Sequence, residues 1–209
     1  MDNVIINTQS SIKIVGSKVI YFDPYKIENN YNDADIIFIT HDHYDHLDID
    51  SLNKIIKDDS KIVIPSSIVN NLLDLDINNE LVLVEPEEDI EVDGIKVDVV
   101  RSYNINKNFH SKDKNYVGYI VKMDDVEYYA MGDTDAVPEI NNIECDVLFV
   151  PIGGTYTMNY KEAAEYANMI KPGKIIPIHY GSIVGDIELG NKFKELVDDN
   201  IEVILKLGE

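Results

Sequence analysis

Three of the chain's five histidines and a well-placed aspartate, Asp45, crowd into the run His41-Asp42-His43-Tyr44-Asp45-His46. Imidazole nitrogens and carboxylate oxygens are the donors that borderline divalent cations take up. In an extended segment the side chains at i and i+2 project to the same side, so His41 and His43 can grip one ion together. A sharp turn at Tyr44 then presents Asp45 and His46 to a second position, and one ion rarely uses all four donors. Two cations a few ångströms apart lower the pKa of a shared water from about 15.7 toward 7 and polarise the bond to be broken, so no protein nucleophile is required.

The residues in front of this run explain how it is presented. Asp35-Ile36-Ile37-Phe38-Ile39-Thr40 is short, apolar and rich in β-branching, the pattern of a strand buried on both faces, and it delivers the histidines at its C-terminal end. Elsewhere the spacing predicts a hairpin from Ile12–Val15 and Lys18–Phe22 turning at Gly16-Ser17. Further strands are expected at Ile62–Ile64, Leu81–Val84, Ile90–Val92, Ile95–Val100, Tyr116–Met123, Val126–Met131, Val147–Val150 and Ile201–Leu205, with a type I′ turn at Asp93-Gly94. Helices are expected at Asp48–Ile56 behind an Asp48 cap, at Ser66–Leu73 behind Ser66 or Ser67, and near Asn191–Val197. A further helix at Tyr160–Ile170 follows the capping box Asn159/Glu162.

The histidine run resembles the metal-binding motif of the metallo-β-lactamase superfamily, whose four-layer αββα sandwich, an α+β fold, holds one or two metal ions in a shallow groove between its sheets. The resemblance implies further ligands. A bridging aspartate should follow a mid-chain strand, and Tyr128-Tyr129-Ala130-Met131-Gly132-Asp133-Thr134 supplies Asp133. A late histidine is supplied by His179 in Lys174-Ile175-Ile176-Pro177-Ile178-His179, and the histidine between them can only be His110. On this reading His41, His43 and His110 hold one ion, Asp45, His46 and His179 the other, and Asp133 both. The ions would be two divalent metals among zinc, manganese, nickel and iron. Asp45 is also the candidate catalytic group, orienting the attacking water or returning a proton to the leaving group. Asn108-Phe109-His110, Pro151–Met158 and Pro177–Gly181 are similar, more narrowly, to a small prokaryotic branch of metal-dependent hydrolases akin to ascorbate-6-phosphate lactonase and the phospholipase D that releases N-acylethanolamines.

Several residues admit a second reading. His110 could be an ordinary loop histidine. Asp135 competes with Asp133 but stands where it would cap a short turn before Pro138, and Asp48 reads as a helix cap. Gly153-Gly154 could offer amides to an anion or simply turn the chain, while Tyr156 and Tyr180 could line the groove or pack. Cys145, the lone cysteine, reads as a buried small hydrophobe.

Composition narrows the classes. The 209 residues, 44% hydrophobic, are expected to form one domain, 1-209. With 18 Lys and Arg against 39 Asp and Glu, the formal charge of −21 disfavours nucleic-acid phosphates and anionic lipid. Bound cations reverse that sign locally, so a small-molecule substrate, itself anionic, is expected. The Met1-Asp2-Asn3-Val4 start lacks the basic and apolar regions of a leader, and a cytoplasmic protein without membrane or nucleic-acid partners is expected. The leading expectation is hydrolysis of a small ester, lactone or phosphodiester. An iron-bound redox or oxygen-handling protein and a metal-dependent nuclease are the alternatives.

Overall fold

The computed structural model describes residues 1–73 and 77–207. Two mixed sheets stack face to face. The first contains β1 (Val4–Ile6), β2 (Ile12–Val15), β3 (Val19–Phe22), β4 (Ile36–Phe38), β5 (Lys61–Pro65) and β6 (Glu80–Val84), ordered as in the chain. The second contains β7 (Asp89–Val92), β8 (Ile95–Arg101), β9 (Val117–Met123), β10 (Val126–Ala130), β11 (Val147–Pro151), β12 (Lys174–Ile178) and β13 (Glu202–Val203), again in chain order. Each sheet begins as an antiparallel meander and continues as parallel strands. Parallel pairing needs long crossovers, and helices supply most of them. These are α1 (Ile49–Ile55), α2 (Asn70–Leu73), α3 (Tyr160–Ile170) and α4 (Leu189–Lys194).

The apolar pattern dictates the layers. Inward residues of both sheets, among them Ile20, Phe22, Phe38, Val117, Tyr119 and Phe149, form one central core. The outer face of the first sheet packs with Leu52 and Ile55 of α1, and that of the second with α3 and with Phe193 of α4. The result is the expected αββα arrangement. Phe38 touches Phe22 and Tyr119 at centroid distances of 5.0 Å, and truncating it to alanine would cost about 3–5 kcal/mol. The Tyr119 hydroxyl donates to the Ile39 carbonyl at 2.7 Å, which fixes the chain just before the histidine run.

Most expected elements appear with shifted ends. Asp48 caps α1, accepting from Asp50 N, and Asn159 with Glu162 closes the capping box of α3. Asp93 and Gly94 have φ of 51° and 82°, as a type I′ turn requires. The Ser66–Leu73 helix is a correction: a 3-10 turn covers Ser66–Ile68, α2 begins only at Asn70, and neither Ser66 nor Ser67 caps, because the strand's Pro65 occupies the cap position. Asp135 is a second correction. The turn at Pro138–Ile140 has no side-chain cap; the Asp135 carboxylate instead accepts from Ile105 N and pairs with Lys107, tying down the loop that leads to His110.

Candidate metal centre

The histidine run leaves the C-terminal end of β4. Asp133 and His179 follow β10 and β12, and His110 descends from the β8–β9 loop, so all seven expected donors meet at one rim of the sandwich. His41 Nε2 and His110 Nε2 stand 3.2 and 3.1 Å from His43 Nδ1. Nitrogens bound about 2.0–2.1 Å from one tetrahedral ion stand roughly 3.4 Å apart, so this spacing fits a shared cation. Beside it, His46 Nε2 lies 3.7 Å from Asp45 Oδ2, and His179 Nε2 lies 3.5 Å from the same oxygen. The Asp133 carboxylate stands between the two clusters. Its Oδ2 is 3.5 Å from His110 Nε2 and 3.1 Å from His179 Nε2, and its Oδ1 is 3.3 Å from His46 Nε2. Within each of His41/His43/His110, His41/His46/Asp133 and Asp45/His46/His179, the ligating atoms lie within 4.8 Å of one another.

The supporting residues fix which nitrogen points into the rim. Asp23 accepts from Thr40 N at 2.8 Å, Thr40 Oγ1 at 2.7 Å and His46 Nδ1 at 2.7 Å, leaving His46 Nε2 bare. With its own proton directed to Asp23, Thr40 Oγ1 receives His41 Nδ1–H at 2.9 Å, which frees His41 Nε2. His110 Nδ1–H donates to Asn104 Oδ1 at 3.0 Å, with the same effect. Such carboxylate, hydroxyl and amide partners orient metal-binding histidines. Gln9 donates to Asp45 Oδ2 at 3.3 Å, and its carbonyl accepts from His179 N at 3.0 Å. No sequence motif points to Asp23, Gln9 or Asn104 as part of the site.

Burial and charge divide the titration of the two clusters. Burial holds the first three imidazoles down: His110 to about 4, His41 well below its ordinary value and His43 below it. Burial also disfavours the charged form of His46 and His179, but the carboxylates win. Asp133 and Asp23 raise His46 well above its ordinary value, and Asp133 with Asp45 raises His179 to about 9. Asp45, whose burial is outweighed by its contact with His179 and the His46 charge, is lowered to about 2. Without metal, the first cluster is three neutral imidazoles, and the second holds protons where a cation would sit.

The donor set also passes a satisfaction test. His46 Nε2 and Asp133 Oδ1 are buried and face one another across 3.3 Å, and the buried His179 Nε2 faces the same carboxylate across 3.1 Å, all without hydrogen-bond geometry. A buried polar atom left so costs about 1–3 kcal/mol, and a cation in the rim satisfies the ones that face it.

Other candidates resolve plainly. Tyr156 lines the cavity over the clusters, whereas Tyr180 is a fully buried core side chain packed on Gly190. Gly154 N–H is used by the Met158 carbonyl, so the double glycine turns the chain, and Gly153 lets the His179 backbone approach, since a Cβ there would lie 2.3 Å from its carbonyl oxygen. Burial pushes the Cys145 thiol up to about 12, away from nucleophilic use. No helix among the described residues is long and apolar enough to cross a membrane.

Two groups of His and Asp side chains that could hold metal, with Asp133 between them, stand at the rim of an αββα sandwich. The chain belongs to the beta-lactamase superfamily domain family, whose family model matches residues 9–179. It is 34% identical over 218 residues to a metal-dependent hydrolase of Thermococcus onnurineus, covering 96% of this chain and 94% of that one. A crystal structure from Parabacteroides distasonis, assigned to the metal-dependent hydrolases, superposes with a TM-score of 0.84 at 26% identity, covering 97% of this chain and 91% of the other. A Thermotoga maritima protein assigned as a zinc-dependent hydrolase of the metallo-β-lactamase superfamily shares the fold, with a TM-score of 0.63 at 20% identity over 97% and 96% of the two chains. The chain is thus a metal-dependent hydrolase of that superfamily.

Proposed function

We propose that this chain hydrolyses a small ester, lactone or phosphodiester with two divalent ions, zinc, manganese, nickel or iron. His41, His43 and His110 would hold one ion, Asp45, His46 and His179 the other, and Asp133 both. The observation that carries this reading is the position of Asp133, whose carboxylate lies within 3.5 Å of a histidine from each cluster. Bound cations lower the pKa of water toward neutrality and polarise the bond to be broken.

The chain's own residues do the rest. The cavity above the clusters, about 210 Å³, is below the roughly 300–1,000 Å³ typical of drug-sized ligands and suits a small molecule. Asp45, ionised with a pKa of about 2 and buried at the cavity floor, can accept a hydrogen bond from the attacking water and so orient it. The water oxygen joins the acyl carbon or phosphorus, the bond to the leaving oxygen breaks, and the water's proton passes by Asp45 to that oxygen.

The test is elemental analysis of metal-replete protein together with turnover on a chromogenic phosphodiester and a lactone. Two ions per chain are expected, with activity abolished by chelation and restored by Mn²⁺ or Zn²⁺. Asp133→Ala should lower occupancy at both positions. One ion per chain, or full occupancy in Asp133→Ala, would overturn the shared-carboxylate reading.

A further inference from the structure

Directly over the polar floor formed by His43, Asp45, Asp133 and His179, the cavity is walled by Tyr44, Phe109, Tyr156 and Ile183. Tyr44 and Phe109 are 64% and 44% exposed, large apolar surface at the mouth of an otherwise charged protein. They are braced rather than loose. Phe109 packs edge-on against Tyr156 with ring centroids 4.6 Å apart, and Tyr44 meets Tyr25 edge-on at 6.1 Å. Among the described residues no lysine or arginine lines the cavity. The lysines of the neighbouring loop are engaged elsewhere: Lys107 with Asp135, Lys112 with Glu139 at 2.5 Å, and Lys114 with the Tyr116 hydroxyl at 3.1 Å.

These walls discriminate by solvation. An apolar group leaving water against them gains about 25 cal/mol per Å² of surface buried. A carboxylate or phosphate placed there would lose its hydration and meet no counter-ion, which is costly. Charge on the substrate is compatible with the floor, where cations bind, and incompatible with the walls.

We propose that the non-reacting part of the substrate is an uncharged apolar group about the size of one aromatic ring, seated against Tyr44, Phe109 and Tyr156, and that these side chains with Ile183 set specificity. The inference rests on the hydrolase reading for the bond that reacts, but the wall's ligand can be tested without turnover.

Ethyl phenylacetate, ethyl acetate and monoethyl succinate share one leaving group and differ only in the group the walls would meet. With the metal-loaded protein, KM for ethyl phenylacetate should be at least about tenfold below the other two. Tyr44→Ala and Phe109→Ala should each raise it about tenfold without changing metal content, a loss in the range expected for one truncated apolar contact. Met169→Ala, an exposed apolar residue on α3, is the control and should leave KM unchanged. Ile183→Lys should shift preference toward monoethyl succinate. Independently, saturation-transfer NMR on metal-free protein should detect phenylacetamide and not succinate, and the Tyr44→Ala/Phe109→Ala double variant should lose that signal. Loss of the signal with no ester hydrolysed would defeat the hydrolase reading and support the wall's role. Equal KM values across the three esters, or phenylacetamide binding that survives the double variant, would overturn the inference alone.

Discussion

Replacing Asp23 with asparagine should weaken the second cation position by one to two orders of magnitude while sparing the first. Asp23 is 2% exposed and takes three hydrogen bonds, from Thr40 N at 2.8 Å, Thr40 Oγ1 at 2.7 Å and His46 Nδ1 at 2.7 Å. Asparagine keeps the shape but has one accepting oxygen and an NH₂ group where the second oxygen stood. If the oxygen stays toward Thr40 N, the NH₂ confronts the His46 N–H; if the amide flips, it confronts the Thr40 N–H. Either way a buried donor loses its acceptor, which costs about 1–3 kcal/mol. That range matches the roughly 10–100-fold drop in metal affinity that follows loss of a ligand's orienting partner. The Thr40 hydroxyl oxygen has two lone pairs and still accepts from His41 Nδ1–H in both arrangements, whereas His46 Nδ1–H loses its acceptor in the first, so the first position suffers less. Competition between the protein and a chromogenic chelator for Mn²⁺ or Zn²⁺, run on wild type and Asp23→Asn with folding checked by circular dichroism, measures both affinities. Wild-type affinity at both positions, or an equal loss at both, would refute the reasoning.

Two further outcomes follow from the same geometry. His179 is pulled down by burial but carried up to about 9 by Asp133 and Asp45, so at neutral pH the metal-free protein must release that proton when the second ion binds. Apparent affinity should therefore rise with pH from neutrality up to about 9, about tenfold per unit for each proton displaced; calorimetry in buffers of different ionisation enthalpy measures the release, and a pH-independent affinity across that range would contradict it. Gly153→Ala puts a Cβ 2.3 Å from the His179 carbonyl oxygen and 2.5 Å from Val184 Cγ2, and should destabilise the fold by at least about 1–3 kcal/mol. A thermal melt unchanged from wild type would show that the His179 loop moves aside freely.

What was legible in the sequence had rare donors at short spacing. His41, His43, Asp45 and His46 lie within one loop behind an apolar strand, so local pattern sufficed. Asp133 and His179 were reached because the resemblance implied an aspartate and a late histidine after strands, and His110 because it was the histidine left over. The supporting groups were invisible for a physical reason: Gln9 reaches Asp45 across 36 positions and Asp23 reaches His46 across 23. No local period encodes contacts of that range. The Asp135 cap failed similarly, because a lysine and an amide from the 105–107 segment claimed its carboxylate before the nearby turn could.

The cost of assembling the site is visible in the backbone. Gln9, Asp23 and His179 are buried non-glycine residues with φ of 50°, 43° and 58°, a region that costs such residues about 1–3 kcal/mol each. Asp23 and His179 come directly after β3 and β12, where continuing the strand would have sent alternate side chains to opposite faces. The left-handed turn breaks that alternation and brings both side chains to the rim. The strain is held by bonds between the strained residues and the cluster itself: His179 N to the Gln9 carbonyl, Gln9 Nε2 to Asp45, and His46 Nδ1 to Asp23. Two of these three bonds end on a side chain of the second cluster. Its geometry is therefore set by folding, and an arriving cation has protons to displace rather than ligands to gather.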